Sequence, residues 1–343
     1  MRPLRLGIIG AGNFVVKRHI PEILEIKDKI ELACICRRDE KILKDIGKLF
    51  GIKSLYRNHL EMLKSEKLDL VLIASPHSLH YRHAIDALNF NCHVIIEKPM
   101  ATSLEESKKM VIFAKKKKKK IIALYNPPFE GHIKTLKKII SDKKIFGKVE
   151  HVNLTWLDYK SPFFGKGQFL KSQLSKIMPS NFRKNNKLSA GGILFDSGCH
   201  LIAEIVWILK DKPNSIYANF DKLNKELRLS LSIEYKNLFF ININIIGNSQ
   251  FNSRRVESCY FGSKCTVKLT GKPYEISIIK KNSKKTNLIK NFLKVKTPIL
   301  EAVDNIIRNK KLEISLDQSL SITSIIEHAY KSSKSGKKEK IKY

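Results

Sequence analysis

Through residues 4–124 short apolar runs alternate with helix-length stretches of mixed polarity, and this rhythm constrains the chain more than any other feature. Leu4 to Ile9 reads as a buried strand, Phe14 to Ile26 as a helix, Glu31 to Cys36 as a strand and about Asp39 to Phe50 as a helix. The pattern continues with strands at Leu68 to Ala74, Val94 to Ile96 and Ile121 to Leu124, joined by helices over Leu79 to Phe90 and Leu104 to Lys115. Strands separated by helices run parallel, because the crossover carries the chain back to the end from which it started. Right-handed crossovers then give a doubly wound sheet whose ligand sites lie outside the carboxyl ends of its strands.

After Pro127-Pro128 the rhythm changes. One helix is expected at about Gly131 to Lys143. Period-two runs follow at Val149 to Leu157, Ile216 to Phe220, Leu227 to Tyr235, Phe239 to Ile246, Val256 to Phe261 and Lys264 to Leu269. Strands without intervening helices predict a largely antiparallel sheet. Helices are expected at Leu201 to Leu209, about Pro298 to Arg308 and Gln318 to Ser333. The fold class is thus α/β plus α+β. Residues 1–124 form a Rossmann dinucleotide-binding domain, residues 125–336 a substrate-binding and oligomerisation domain with a large open sheet and C-terminal helices, and residues 337–343 a lysine-rich tail expected to fray. An open sheet this wide needs cover on its exposed face, which predicts a homodimer or homotetramer.

A net charge of +33 would ordinarily point to a polyanion partner. Here Lys far outnumbers Arg, with Ile and Asn also abundant, which is the bias an A/T-rich genome imposes on all its proteins. No basic and aromatic interleaving accompanies it, and the run Lys115 to Lys120 falls where a helix end favours cations. Neither nucleic acid nor a membrane is expected as a partner. The six cysteines show no metal-ligand spacing and sit mostly in apolar strands, so no metal site and a reducing, cytoplasmic compartment are expected. Met1 to Arg5 runs directly into the first strand with no leader-like apolar region, and no apolar run approaches the ~18 residues of a membrane span.

The chemistry-bearing residues fall at the strand ends. Gly10-Ala11-Gly12-Asn13-Phe14-Val15 follows the first strand and opens the first helix, the context a dinucleotide fingerprint needs. Gly10 permits the turn and Gly12 the approach of a pyrophosphate to the helix N-terminus, with Asn13 and Phe14 beside it. Val15 occupies the third position of the fingerprint, where Gly or Ala packs helix on strand. The second strand ends in Arg37-Arg38, where an NAD-selective fold carries a carboxylate for the ribose. An arginine pair suits the 2′-phosphate instead, so NADP(H) is favoured over NAD(H). Asp39 is read as the N-cap of the next helix.

Four segments in order carry a resemblance: Gly10-x-Gly12 after the first strand, Ser75-Pro76-His77-Ser78-Leu79-His80 after the third, Glu97-Lys98-Pro99 after the fourth, and Gly191-Gly192-x-x-x-Asp196-x-Gly198-x-His200 later. Together they resemble the Gfo/Idh/MocA oxidoreductases, from about Leu4 to Gly336, with Phe146-Gly147-Lys148-Val149 and Phe261-Gly262-Ser263-Lys264 in the matching stretch. The resemblance implies reversible hydride transfer between a nicotinamide and a secondary alcohol of a sugar, cyclitol or similar polyol. It places Ser75, Pro76, His80, Glu97 and Lys98 at the cofactor, His80 having also the alternative of simply beginning a helix. It gives Lys98 the reacting oxygen, and it puts Asn126, Asp196, His200 and the arginine of Asn181-Phe182-Arg183 near substrate. Alcohol oxidation needs a base near neutrality, a task that suits histidine; between His200 and Lys98 the assignment stays open. On an α-helix the i, i+4 spacing of Asp196 and His200 would aim both side chains one way.

Departures from the family pattern bear on substrate. Pro127 and Pro128 stand where relatives often carry arginine. Ala203 lies three residues after His200, where many members have Asp, and Glu204 is one position off and expected on a different helical face. These keep a second reading open, a catalytically retired sensor or scaffold that retains the cofactor site.

Overall fold

The computed structural model describes residues 2–169, 177, 179–236, 239–250, 254–283 and 285–343; Met1, where the leader reading begins, lies outside them. The chain divides into two compact units, each built on one sheet. In the first, strands β1 (Leu4–Ile9), β2 (Ile30–Cys36), β3 (Ser54–Tyr56), β4 (Leu70–Ile73), β5 (His93–Glu97) and β6 (Ile121–Leu124) form a parallel sheet in the order β3-β2-β1-β4-β5-β6. The strand order reverses between β1 and β4, which puts the ligand crevice beside the C-terminal end of β1. β4 is fully buried along its length, as a strand covered on both faces must be.

The sequence reading has five strands here and the sheet has six. β3 is three half-buried residues, too short to show a period, and the helix His59–Ser65 follows it at once. Asp39 caps the Glu40–Phe50 helix, its carboxylate accepting from the Ile42 amide at 2.9 Å. Lys115 and Lys116 close the Leu104–Lys116 helix in its last turn.

The linear division at residue 124 needs correction. Residues 169–190 and 296–316 belong to the first unit. The Pro298–Arg308 helix buries Ile299, Ala302 and Val303 in the same apolar cluster as Leu6 and Ile8. Asp304 accepts from Lys296 at 2.8 Å and pairs with Lys29 at 3.4 Å.

The second unit holds a nine-stranded sheet: β7 (Val149–Leu157), β8 (Ser215–Phe220), β9 (Arg228–Glu234), β10 (Phe240–Ile246), β11 (Arg255–Gly262), β12 (Cys265–Gly271), β13 (Glu275–Lys280), β14 (Thr286–Ile289) and β15 (Glu339–Lys340). The order is β14-β13-β12-β11-β7-β10-β9-β8-β15, antiparallel except for β7 against β10. Alternation is strict where one face is covered: in β10, Ile241, Ile243 and Ile245 are buried, with Phe240 and Asn244 exposed opposite. β13 and β14 escaped the sequence reading because they lie toward an edge and β14 buries nothing. The tail does not fray. β15 pairs with β8, Ile341 is buried, and the Tyr343 hydroxyl donates to the Pro213 carbonyl at 2.8 Å.

One helical stretch, Asn186–Leu209, is long and apolar enough to cross a bilayer by length and composition alone, although Asp196, His200 and Glu204 interrupt it, and its most apolar window is 89% buried inside the protein. It is packed as a core helix.

Candidate active site

At the switch point of the first sheet a cavity of ≈ 300 Å³ opens against Gly10, Gly12, Arg37, Arg38, Ser75 and Pro76. The cradle depends on glycine. Gly10 has φ +95°, and a Cβ there would stand 2.6 Å from the Ala74 carbonyl carbon and closer still to the Ser75 nitrogen. The Gly10 amide donates to the Cys36 carbonyl at 2.9 Å, which locks the loop to the end of β2. A π-turn, Val15–His19, then leads into the Ile20–Leu24 helix, so Val15, fully packed at 2% exposure, is absorbed by a local change in winding.

The rim of this cleft is cationic. Arg37 donates from Nη1 to the Ala11 carbonyl at 2.8 Å, while its buried Nε has no hydrogen-bond partner. Burial pulls the Arg37 guanidinium below its ordinary value and Asp39 pulls it back. Arg57, which the sequence reading missed, joins Arg37 and Arg38 because β3 pairs with β2 and the Arg37 amide donates to the Tyr56 carbonyl at 2.9 Å. Arg57 also pairs with Glu40 at 3.2 Å. His59 and His83 complete the same wall. Burial, then neighbouring cations, push the His83 ring down to about 3, so it stands neutral against the Ser75 hydroxyl, 2.9 Å away.

Several expected cofactor residues do not line this cavity. Asn13 turns its amide to the Ile177 carbonyl at 2.5 Å, and Phe14 is 44% exposed with its ring edge-on to His19. His80 has no exposed surface at all. Its ring spans the Ser75 carbonyl, 2.9 Å from Nε2, and the Pro99 carbonyl, 2.8 Å from Nδ1, so it braces the Lys98-Pro99 loop against the cofactor loop and touches no solvent. Glu97 is likewise internal. Burial pushes its carboxyl up, but the His19 ring at 2.7 Å and the Lys98 amide outweigh that and hold it below its usual range. Lys98 stands half-buried on this braced loop in the first unit. Phe182 lines this cleft, with Arg183 over its ring at 4.5 Å, and both residues belong to the first unit.

In the second unit a narrow cleft gathers Asn126, Trp156, His200, Glu204 and Arg254. The imidazole of His200 lies parallel to the Trp156 ring with centroids 6.4 Å apart. His200 belongs to the Cys199–Leu209 helix, but Asp196 does not: it stands on a π-turn, Leu194–Gly198, wound more widely than the α-helix assumed from spacing. Glu204 shares the cleft with His200, one turn on, which corrects its expected place on another face. Tyr260 donates to Glu204 Oε1 at 2.9 Å, and burial pushes that carboxyl up to about 7.

The Gly191-Gly192 pair has a structural cause. A Cβ on Gly192 would meet the Glu226 nitrogen at 2.5 Å. Glu226 Oε1 accepts from the Gly192 amide at 3.1 Å, the Leu194 amide at 3.2 Å and the Tyr330 hydroxyl at 2.5 Å, anchoring the turn that carries Asp196. Its Oε2 is buried with no partner, and burial, against those donors, raises the carboxyl to about 7. The folded state therefore binds this proton more tightly than the unfolded chain. The resulting stability is full below the ordinary value of 4.5 and is lost as pH rises through about 7, by at most about 3 kcal/mol. Thermal melts across that window should show a falling Tm whose slope Glu226→Gln reduces, the part due to Glu204 remaining. An equal slope in the variant would contradict the assignment.

Two family models match the chain: one described as an oxidoreductase family with an NAD-binding Rossmann fold, over residues 4–125, and the GFO/IDH/MocA C-terminal domain, over residues 133–257. The chain belongs to the Gfo/Idh/MocA oxidoreductases. Among relatives, D-glucoside 3-dehydrogenase of Escherichia coli is 27% identical over 207 residues, covering 60% of this chain and 54% of its own. An NADP(+) scyllo-inositol 2-dehydrogenase of Bacillus subtilis is 23% identical over 217 residues, covering 63% and 54%. The matches thus span about half the length of these curated relatives. For the fold, the WlbA dehydrogenase of Bordetella pertussis, solved with NADH and UDP-GlcNAcA, aligns with a TM-score of 0.84 at 19% identity, covering 100% of this chain and 99% of that one.

Within this Gfo/Idh/MocA chain the two π-turns found among the described residues follow or overlap the two glycine-bearing motifs, Val15–His19 after Gly10-x-Gly12 and Leu194–Gly198 after Gly191-Gly192. Neither has a sequence signature beyond the glycines themselves. Arg57 and Glu204 were the residues that spacing arguments lost, the first behind an unseen strand and the second behind a family offset.

Proposed function

We propose that the protein is an NADP(H)-dependent oxidoreductase that moves hydride between the nicotinamide and a secondary hydroxyl or ketone of a sugar, cyclitol or similar polyol. The observation that carries this reading is the switch-point cavity, with its glycine-only cradle and its rim of Arg37, Arg38 and Arg57. These residues fit a dinucleotide: Gly10 and Gly12 leave room for the pyrophosphate, and the guanidinium groups meet a 2′-phosphate with charge-assisted hydrogen bonds. Ser75 and Pro76 line the same cavity. When bound, the nicotinamide supplies the hydride acceptor or donor. Lys98 holds the reacting oxygen by donating to it. His200 takes the hydroxyl proton as the C–H electron pair leaves as hydride, with Asp196 and Asn126 holding further hydroxyls and Arg183 at the periphery. The mostly uncharged outer face of the nine-stranded sheet, with Tyr217 and Phe240 exposed, supports a homodimer or homotetramer. Six free cysteines support a reducing, cytoplasmic setting.

Cofactor choice gives a direct test. NADPH should bind about 10-fold or more tightly than NADH, and Arg37→Asp should reverse that order, because a carboxylate repels the 2′-phosphate and accepts from a free ribose. Equilibrium titrations by nicotinamide fluorescence measure both constants. Equal affinities in the wild type, or selectivity unchanged in the variant, would refute the NADP assignment.

A further inference from the structure

Glu204 is a carboxylic acid at 3% exposure, and none of the roles given to Lys98, His200 or Asp196 uses it. It lies on the Cys199–Leu209 helix four residues after His200, on the face that opens into the narrow cleft. No cation pairs with it among the described residues; Tyr260 of β11 donates to Oε1 at 2.9 Å, and the hydroxyl of Ser258 on the same strand also acts on the carboxyl, opposing the effect of burial. Burying such a group is costly unless something uses its remaining hydrogen-bonding capacity. The cleft, at ≈ 30 Å³, admits a hydroxyl or a water and no sugar ring.

We propose that Glu204 is a specificity-determining residue of the polyol site, gripping one substrate hydroxyl that enters the cleft beside His200. This rests on the polyol oxidoreductase reading. With Oε1 occupied by Tyr260, a protonated carboxyl donates from its other oxygen to the substrate hydroxyl, a contact that ionisation removes. The group stays protonated up to about pH 7 because burial opposes its charge. The groups around it are His200 on its own helix, Tyr260 and Ser258 of β11, the Glu130 and His132 pair, Arg254 and Tyr274. Any pH effect is therefore read as a difference between wild type and the Gln variant.

The test uses the full chain with NADP+ and compares scyllo-inositol, D-glucose and the monodeoxy-D-glucoses as substrates for wild type, Glu204→Ala and Glu204→Gln. The wild type should reject one deoxy isomer by about 100-fold or more in kcat/KM, as sites built to hydrogen-bond a hydroxyl do. Glu204→Ala should shrink that ratio to a few-fold, with the loss in KM and with NADPH affinity unchanged. Should the Ala variant not fold, Glu204→Gln serves: the wild-type KM should rise as pH passes about 7, and the Gln KM should not. Equal deoxy discrimination in wild type and Ala variant, or the same KM profile in wild type and Gln variant, overturns the role of Glu204 and leaves the polyol reading standing. Wild type that turns over none of these polyols overturns both.

Discussion

Lys98→Ala and His200→Ala are each expected to lower kcat by about 100-fold or more while leaving the NADPH dissociation constant within a few-fold of wild type. The magnitude follows from the roles proposed. A group that donates to the reacting oxygen acts on charge that develops only in the transition state, and a general base acts on a proton that moves only there. Neither residue lines the switch-point cavity where the adenosine half would be held, so affinity for the cofactor should survive. The two variants should differ in pH dependence. Removing the base should abolish the acidic limb of kcat/KM in the oxidative direction, and removing the oxygen-holding cation should lower the plateau without moving that limb. Stopped-flow and steady-state kinetics with a turned-over polyol provide the check. Cofactor affinity falling in step with kcat would make both residues structural.

Gly10→Ala should be the most damaging small substitution in the first unit. The residue sits at φ +95°, where a side chain costs on the order of 1–2 kcal/mol, and the added methyl would collide with backbone at Ala74 and Ser75, which cannot rotate away. Relief requires β1 and β4 to separate at the proposed cofactor cradle. NADPH binding should weaken by about 100-fold or more, and Tm should fall by several degrees. By contrast, Gly51→Ala, also at positive φ but with nothing within 4 Å of the new Cβ, should cost only the conformational strain and leave binding alone. Equal behaviour of the two variants would show that crowding at Gly10 is not what fixes the cradle.

The doubly wound sheet was legible because each of its longer strands carries an apolar run of three or more residues, and a run buried on both faces writes itself into composition. The strand that escaped is β3, three residues with no buried member, and with it went Arg57, whose place beside Arg37 exists only through β2–β3 pairing. Linear order also hides packing at a distance. Nothing in the polarity of Pro298–Arg308 says that Ile299 and Val303 join Leu6 and Ile8 in a core that residues 126–168 do not share. Motif reasoning found the glycines and the strand-end polar residues, because those positions follow from turn sterics. For His80 the resemblance left two readings, a cofactor contact or a helix start; it begins the His80–Asn89 helix, buried as a brace between two carbonyl groups. Motif reasoning erred on Glu204, where an offset of one residue from the family pattern carried the side chain into the cleft with His200 instead of away from it.

The most direct test of the whole account is the change in nicotinamide absorbance when wild-type protein is mixed with NADP+ and a panel of sugars and cyclitols. The account predicts NADP+ reduction by at least one polyol, slower with NAD+ at equal concentration, and lowered about 100-fold or more in Lys98→Ala. No reduction of either nicotinamide by any member of the panel, together with no oxidation of NADPH by the matching ketones, would contradict it.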